Sequence, residues 1–267
     1  MQWDHNLGAR RFGRVNWLGL KTLTSREVQR FMSVRTQTLL APMVTAGLFL
    51  MIFNIAIGPK RGDVMGVPFI VFLAPGITMM TVIQNAFANT TSSIMTAKVQ
   101  GNIVDTLMPP LSSSELVAGY LAGAVVRGLC LAVGLWLGMF LILGIGVAHP
   151  LYAVAFAFLG AAMLGAMGIV AGIHAQKYDQ MSAITNFVIT PLAFLSGSFY
   201  SIEALPEVIK ELTLWNPIFY LIDGFRFAII GVSDGAPLIG LVICTLSTLA
   251  LSITAWGLFQ TGYRLKS

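Results

Sequence analysis

Few groups in this chain could do chemistry, and those few point to ion pairing and docking, not to bond breaking. Asp223 and Arg226 stand three residues apart, so on a helix they share a face and can pair. Arg127 is a lone formal charge at the edge of a long apolar run. Inside a membrane-crossing segment such a residue marks function by default. Residues 128–148 alone are long enough to cross, however, so Arg127 can equally anchor at an interface, its head snorkelling outward. Lys98 and Asp105 belong to a polar stretch that stops at Pro109-Pro110, and Arg26, Glu27 and Arg30 crowd one short segment. Glu203, Glu207 and Glu211 recur at four-residue spacing around Lys210, the pattern of a solvated rim.

The chemistry these residues leave out is as informative. The three His have no metal-ligand spacing, and Cys130 and Cys244 both sit in charge-free runs, where they read as small apolar fillers. No Gly-x-x-x-x-Gly-Lys-Ser/Thr loop is present, nor a Ser-His-Asp set, nor His-Glu-x-x-His. Paired carboxylates or a His relay, expected of a proton-driven carrier, are missing from the apolar segments. The expectation is a chain that is not an enzyme, holds no metal or cofactor of its own, and takes its energy from elsewhere. The net charge of +5 is concentrated in the first 35 residues, which points to a membrane surface and not to nucleic acid.

The elements that must position these groups are set by six runs without Asp, Glu, Lys or Arg: 36–59, 64–97, 128–148, 150–173, 180–202 and 235–263. An α-helix needs about 20 apolar residues to cross ~30 Å of hydrocarbon, with every backbone amide satisfied within it. The runs predict a multi-pass, all-α membrane protein with spans near 38–57, 67–89, 117–146, 151–173, 183–200 and 236–259. No cleavable signal peptide is evident. Arg10, Arg11, Arg14, Lys21, Arg26, Arg30 and Arg35 precede the first span, and Arg264 and Lys266 follow the last. The positive-inside rule then puts both termini, with Lys98 and Lys177, in the cytoplasm, and Lys60, Arg61, Lys210 and Arg226 outside. Gly119-x-x-x-Gly123, Gly134-x-x-x-Gly138 and Gly168-x-x-x-Gly172 are candidate close-approach sites, each a spacing that also arises by chance in Gly-rich spans.

Three segments are neither span nor simple loop. Residues 15–36 predict a helix lying in the interface, with Trp17, Leu20, Leu23, Val28, Phe31, Met32 and Val34 on the apolar half and Arg26, Arg30 and Ser33 facing away. Lys21 and Glu27 intrude on its apolar side; the alternative is a solvated basic leader. Residues 90–115 predict a short projecting helix ended by Pro109-Pro110, then a capping box from Ser112 to Glu115, the alternative being an extended loop. Residues 200–235 hold two apolar stretches split by Asn216-Pro217, each too short to span, which predicts re-entrant or interfacial helices.

Taken together, certain residues resemble the permease subunits of ABC-2 type exporters, above all the bacterial branch of YadH-like and NodJ-like permeases. They are Arg26-Glu-Val-Gln-Arg30-Phe31, Ala41-Pro42, Ala74-Pro75-Gly76, Gln84-Asn-Ala-Phe87-Ala-Asn, Lys98-Val-Gln-Gly101 and Asp105-Thr-Leu-Met-Pro109-Pro110-Leu-Ser. Thr190-Pro191-Leu, Gly197-Ser-Phe199-Tyr200, Asn216-Pro217 and Asp223-Gly-Phe-Arg226 complete the set, which covers nearly the whole chain. The resemblance implies six spans, a homodimer, two copies of a separate cytoplasmic ATPase that binds the ATP and Mg, and a place in the bacterial inner membrane.

It further implies a cytoplasmic N-terminus with a connector helix (1–37; Arg26, Glu27, Arg30, Phe31), one transmembrane domain (38–259) and a cytoplasmic tail (260–267). A coupling helix at about 92–111 would offer Lys98, Gln100, Gly101, Asp105, Leu107, Pro109 and Pro110 to the ATPase. Re-entrant helices at about 201–233 would place Phe199, Tyr200, Asn216, Pro217, Asp223 and Arg226 near an outward gate. Met108 departs from the family, which often has a small residue before Pro109. On this view an amphipathic substrate (lipid, glycan or glycolipid, or drug) crosses between protomers by alternating access, with Phe87, Phe187 and Phe199 as candidate wall residues. A secondary carrier or channel acting alone, and a membrane scaffold, stay open as alternatives.

Overall fold

The computed structural model describes residues 15–58 and 62–265. The expectations for Arg10, Arg11, Arg14, Lys60, Arg61 and Lys266 lie outside them. Ten helices, besides a single 3-10 turn at Ile202–Ala204, follow in order among the described residues. Helix α1 is Trp17–Ser33, and α2 is Thr36–Ala56, opening on a π turn at Thr36–Leu40. Helices α3 (Phe69–Val99), α4 (Ile103–Leu107), α5 (Ser113–Leu143) and α6 (Pro150–His174) come next. Three abutting segments, Tyr178–Ile184, a π turn at Thr185–Ile189 and Thr190–Phe194, make α7. Helices α8 (Glu207–Leu214), α9 (Pro217–Ile230) and α10 (Pro237–Thr261) complete the chain.

Five of these, α2, α3, α5, α6 and α10, are long and apolar enough to cross a membrane. Helix α7, predicted as a sixth span at 183–200, ends at Phe194. At about 1.5 Å per residue it reaches ~25 Å, short of a ~30 Å hydrocarbon core. The chain then turns at Gly197, whose φ of 70° favours glycine.

One other expectation needs correction. Residues 92–99 are the last turns of α3 and do not belong to a separate helix, because Thr90 and Thr91 turn their hydroxyls onto the carbonyls of Gly165 (2.8 Å) and Gly168 (3.2 Å) in α6. Polar residues here glue two helices together, so the helix runs on. The separate helix is only α4, reached through Gly101 at φ 73°. The link between α2 and α3 also holds a two-residue hairpin, β1 (Asp63–Val64) against β2 (Val67–Pro68), in antiparallel register Asp63–Pro68 and Val64–Val67.

Helices α3 and α6 form the most extensive contact and the centre of the bundle. Small residues make it possible. A Cβ on Gly168 would meet the Phe87 carbonyl at 2.5 Å, and one on Gly172 would lie 3.1 Å from Ile94 Cβ. A Cβ on Gly134 would meet Met43 of α2 at 2.6 Å, whereas one on Gly138 would meet open space. The main core joins Met79, Ile83, Phe87, Leu131, Phe156, Leu164, Ile222 and Cys244. Cys244 thus fills core space as expected, while Cys130 is exposed on α5.

Candidate functional site

At the end of the bundle that carries most of the described basic residues, α1 lies across α3 and α5. Its buried face is Leu23, Glu27 and Phe31, spaced four apart. Leu23 and Glu27 sit on Gly119 and Gly123, where an added Cβ would approach each side chain to 2.5 Å. The Gly-x-x-x-Gly spacing therefore seats α1, not a neighbouring span. Glu27 is not an intruder on an apolar face but the centre of the inward one. It accepts hydrogen bonds from Ser93 Oγ (2.8 Å), Arg26 Nη2 (3.2 Å) and Arg30 Nε (3.3 Å) and Nη2 (3.2 Å). A fully buried carboxylate is tolerable only with such partners. Arg26 and Arg30, predicted to face away, fold back onto it with heads still partly wet.

The same two arginines reach other elements. Arg26 Nη1 donates to Thr106 Oγ1 of α4 at 2.9 Å, and Arg30 Nη2 donates to the Asn89 carbonyl of α3 at 2.6 Å. The start of α1 is knotted in as well. Asn16 N donates to Glu115 Oε1 at 2.5 Å, and Asn16 Nδ2 to the Pro110 carbonyl at 3.1 Å. Glu115 also closes the expected capping box with Ser112. Helix α4 is thus tied to α1 through Thr106, and the stretch just after it is held through Pro110 and Asn16.

What α4 leaves uncovered is a small mixed face. Ile103 and Thr106 point inward, while Val104, Asp105 and Met108 are exposed, with Gln100, Gly101, Pro109 and Pro110 beside them and Leu107 half-buried. Lys98 is not part of this face. Its Nζ donates to the carbonyls of Ile173 (2.6 Å), Ala175 (2.6 Å) and Gly172 (3.4 Å), capping the C-terminal end of α6. Arg264 joins it through the His174 carbonyl at 2.9 Å.

The opposite end holds a second, closed cluster. Arg226, fully buried, lies with Nη1 3.7 Å from Asp223 Oδ1 and 3.6 Å from Asp234 Oδ2, and its Nη2 donates to the Gly197 carbonyl at 2.5 Å. The guanidinium also stacks 4.0 Å from the Phe72 ring centre. Asp223 therefore pairs with Arg226 as its spacing predicts, and also caps the following loop by accepting from Ser233 Oγ (2.6 Å) and Asp234 N (2.8 Å). Burial pushes the Asp234 carboxyl above the usual carboxylate range, although Ser201 hydrogen-bonds to it. Asn216 caps α9 and ties it to α7 through Leu192 O (3.0 Å) and Ser196 Oγ (2.8 Å), with Pro217 in the first turn. Phe199 stacks on Phe194 and packs tilted against Phe53, and the Tyr200 hydroxyl donates to Phe194 O.

The remaining site residues do not come together. Phe87 is 1% exposed within the protomer core, and Phe187 is 82% exposed on the outer face of α7. Arg127 does not snorkel. It is buried against α3, with Nη2 donating to Asn85 Oδ1 at 2.6 Å.

A family description, ABC-2 type transporter, fits residues 19–230. The chain belongs to the ABC-2 type transporter family. It is 34% identical over 251 residues to the inner membrane transport permease YadH of Escherichia coli K12, covering 94% of this chain and 98% of that protein. It is also 23% identical over 224 residues to nodulation protein J of Rhizobium leguminosarum bv. viciae, covering 82% of this chain and 84% of that one. As an ABC-2 type transport permease it is a membrane protein, in agreement with its five apolar crossing helices.

Sequence reasoning missed Asn85, Ser93, Asn89 and Asp234 as partners of the charged groups. The first and third were readable as polar residues one helical turn apart in a charge-free run. Asp234 meets Arg226 through a loop closure that leaves no periodic trace.

Proposed function

We propose that this chain is the permease subunit of an ATP-driven exporter in the bacterial inner membrane, working as a homodimer with two copies of a separate cytoplasmic ATPase. The observation that carries this is α4: a short, largely exposed helix tied to α1 by Arg26–Thr106, with Pro110 just beyond it held by Asn16. A helix so braced transmits a push; a loose loop absorbs one. The name of one relative, an inner membrane transport permease, and the chain's membership of the ABC-2 type transporter family support it.

In this reading the basic end faces the cytoplasm, α7 completes six crossings despite its length, and α8 and α9 are outward re-entrant helices. ATP binding closes the partner ATPases, which press on Val104, Asp105 and Met108. The push reaches α1 through Arg26, α5 through Glu115 and α6 through Lys98. It shifts the inward–outward equilibrium only as far as the contacts differ between the two states. An amphipathic substrate then passes between protomers.

The test is co-purification of the permease with its ATPase and ATP-dependent export by the complex. Asp105→Lys and Met108→Glu should each abolish co-purification and export while the permease keeps its abundance and melting temperature. Retention of the complex by both variants, or transport in liposomes without ATP or ATPase, sinks the proposal.

A further inference from the structure

Helix α3 turns a ladder of polar side chains toward α1 and α5, one per helical turn. Ser93 meets Glu27, Asn89 meets Arg30, and Asn85 meets Arg127. Glu27 is the one carboxylate along it. Among the described residues no carboxylate pairs with Arg127, whose side chain makes a single hydrogen bond and whose buried Nε makes none. Arg226, the other buried arginine, is flanked by two aspartates. A buried cation without a counter-charge is costly, and one hydrogen bond does not offset the lost hydration.

Asn85 has a second surface. With Gln37, Thr45, Thr81 and Gln84 it lines a cleft of about 310 Å³ between α2, α3 and the end of α7, which Phe49, Phe194 and Phe199 line as well. The cleft thus offers both polar and aromatic side chains. The guanidinium of Arg127 stands directly behind the amide, donating to its oxygen; this polarises the amide, whose Nδ2 uses one hydrogen on the Thr81 carbonyl (2.9 Å) and keeps the other.

We propose that this cleft is a subsite for the anionic group of an amphiphile, a phosphate or carboxylate held at Asn85 and Gln84 in the field of Arg127, with its apolar part along Phe49 and Phe194. Arg127 here is a positioning and charge-supplying residue acting through Asn85. The inference rests on the exporter reading only in making the bound molecule cargo. Binding itself needs neither ATP nor ATPase, so failure of one leaves the other standing.

The experiment uses the full chain in nanodiscs of zwitterionic lipid, titrated with fluorescent phosphatidylglycerol or with phosphatidylcholine of the same chains. The wild-type protein should bind the anionic probe about tenfold more tightly, the discrimination expected of one charge-assisted hydrogen bond. Asn85→Asp supplies Arg127 with an internal counter-charge, so this variant should fold and melt as the wild type does while its preference falls to within about twofold. Arg127→Gln should lose the preference too, and Arg127→Lys should keep part of it. Competition by inorganic phosphate would assign the site to a free anion, and its failure to compete would assign it to a headgroup attached to its chains. No preference in the wild type, or an undiminished preference in a folded Asn85→Asp protein, overturns the proposal.

Discussion

Two buried charges, Arg226 and Glu27, sit in different circumstances, and the difference can be measured. Arg226 is wholly buried and its two aspartates have no other cation among the described residues. Arg226→Met therefore leaves two carboxylates facing an apolar side chain, and breaking a buried set from one side costs about 3–5 kcal/mol. The expected outcome is a large fall in melting temperature in detergent. Glu27→Gln should be milder. Its partners Arg26 and Arg30 are 45% and 34% exposed, so they rehydrate when the charge is lost, and the Ser93 hydrogen bond survives on the amide oxygen. If Arg226→Met melted no lower than Glu27→Gln, the Asp223–Arg226–Asp234 cluster would not be the structural lock described above.

Among elements, α1 is held by contact geometry as much as by charge. Gly123 admits the Glu27 side chain and Gly119 admits Leu23. Gly123→Leu should lift α1 from α3 and α5 without disturbing the α3–α6 contact, since that contact is made by Gly168 and Gly172 on another helix. The expected result is a folded permease whose α1 becomes sensitive to protease and which, on the exporter proposal, loses ATP-driven transport. Unchanged protease resistance would mean that α1 is seated some other way.

The same comparison shows what a single sequence reveals at this scale. Spans are legible because lipid forbids unsatisfied backbone, so a charge-free run must become a helix. The capping box and the Asp223–Arg226 pair are legible because both are local, three residues apart. The length of α3 was not, because Thr90, Thr91 and Ser93 look like loop residues until their hydroxyls find α6 and Glu27. Nor was the inward turn of Glu27, which depends on two glycines nearly a hundred residues away.

For the whole molecule the open physical question is α7. A helix of ~25 Å carrying a π turn spans only if the bilayer thins locally or the backbone beyond Phe194 completes the crossing within protein. The second route has support in the structure: Ser198 tucks its backbone against Gly76 of α3, Ser196 and Ser198 hydrogen-bond to α7 carbonyls, and the Gly197 carbonyl is taken by Arg226. The non-helical stretch is thus enclosed by protein, where lipid-depth backbone is allowed. Single cysteines at Val104 and Val208, both exposed, decide the matter in a chain whose Cys130 and Cys244 are replaced. Helices α5, α6 and α7 lie between them, so three crossings put the two positions on opposite sides. A membrane-impermeant maleimide should label Val208→Cys in intact cells and Val104→Cys only after the membrane is opened. Labelling of both from one side would mean that α7 turns back within the bilayer, leaving five crossings and the termini on opposite faces.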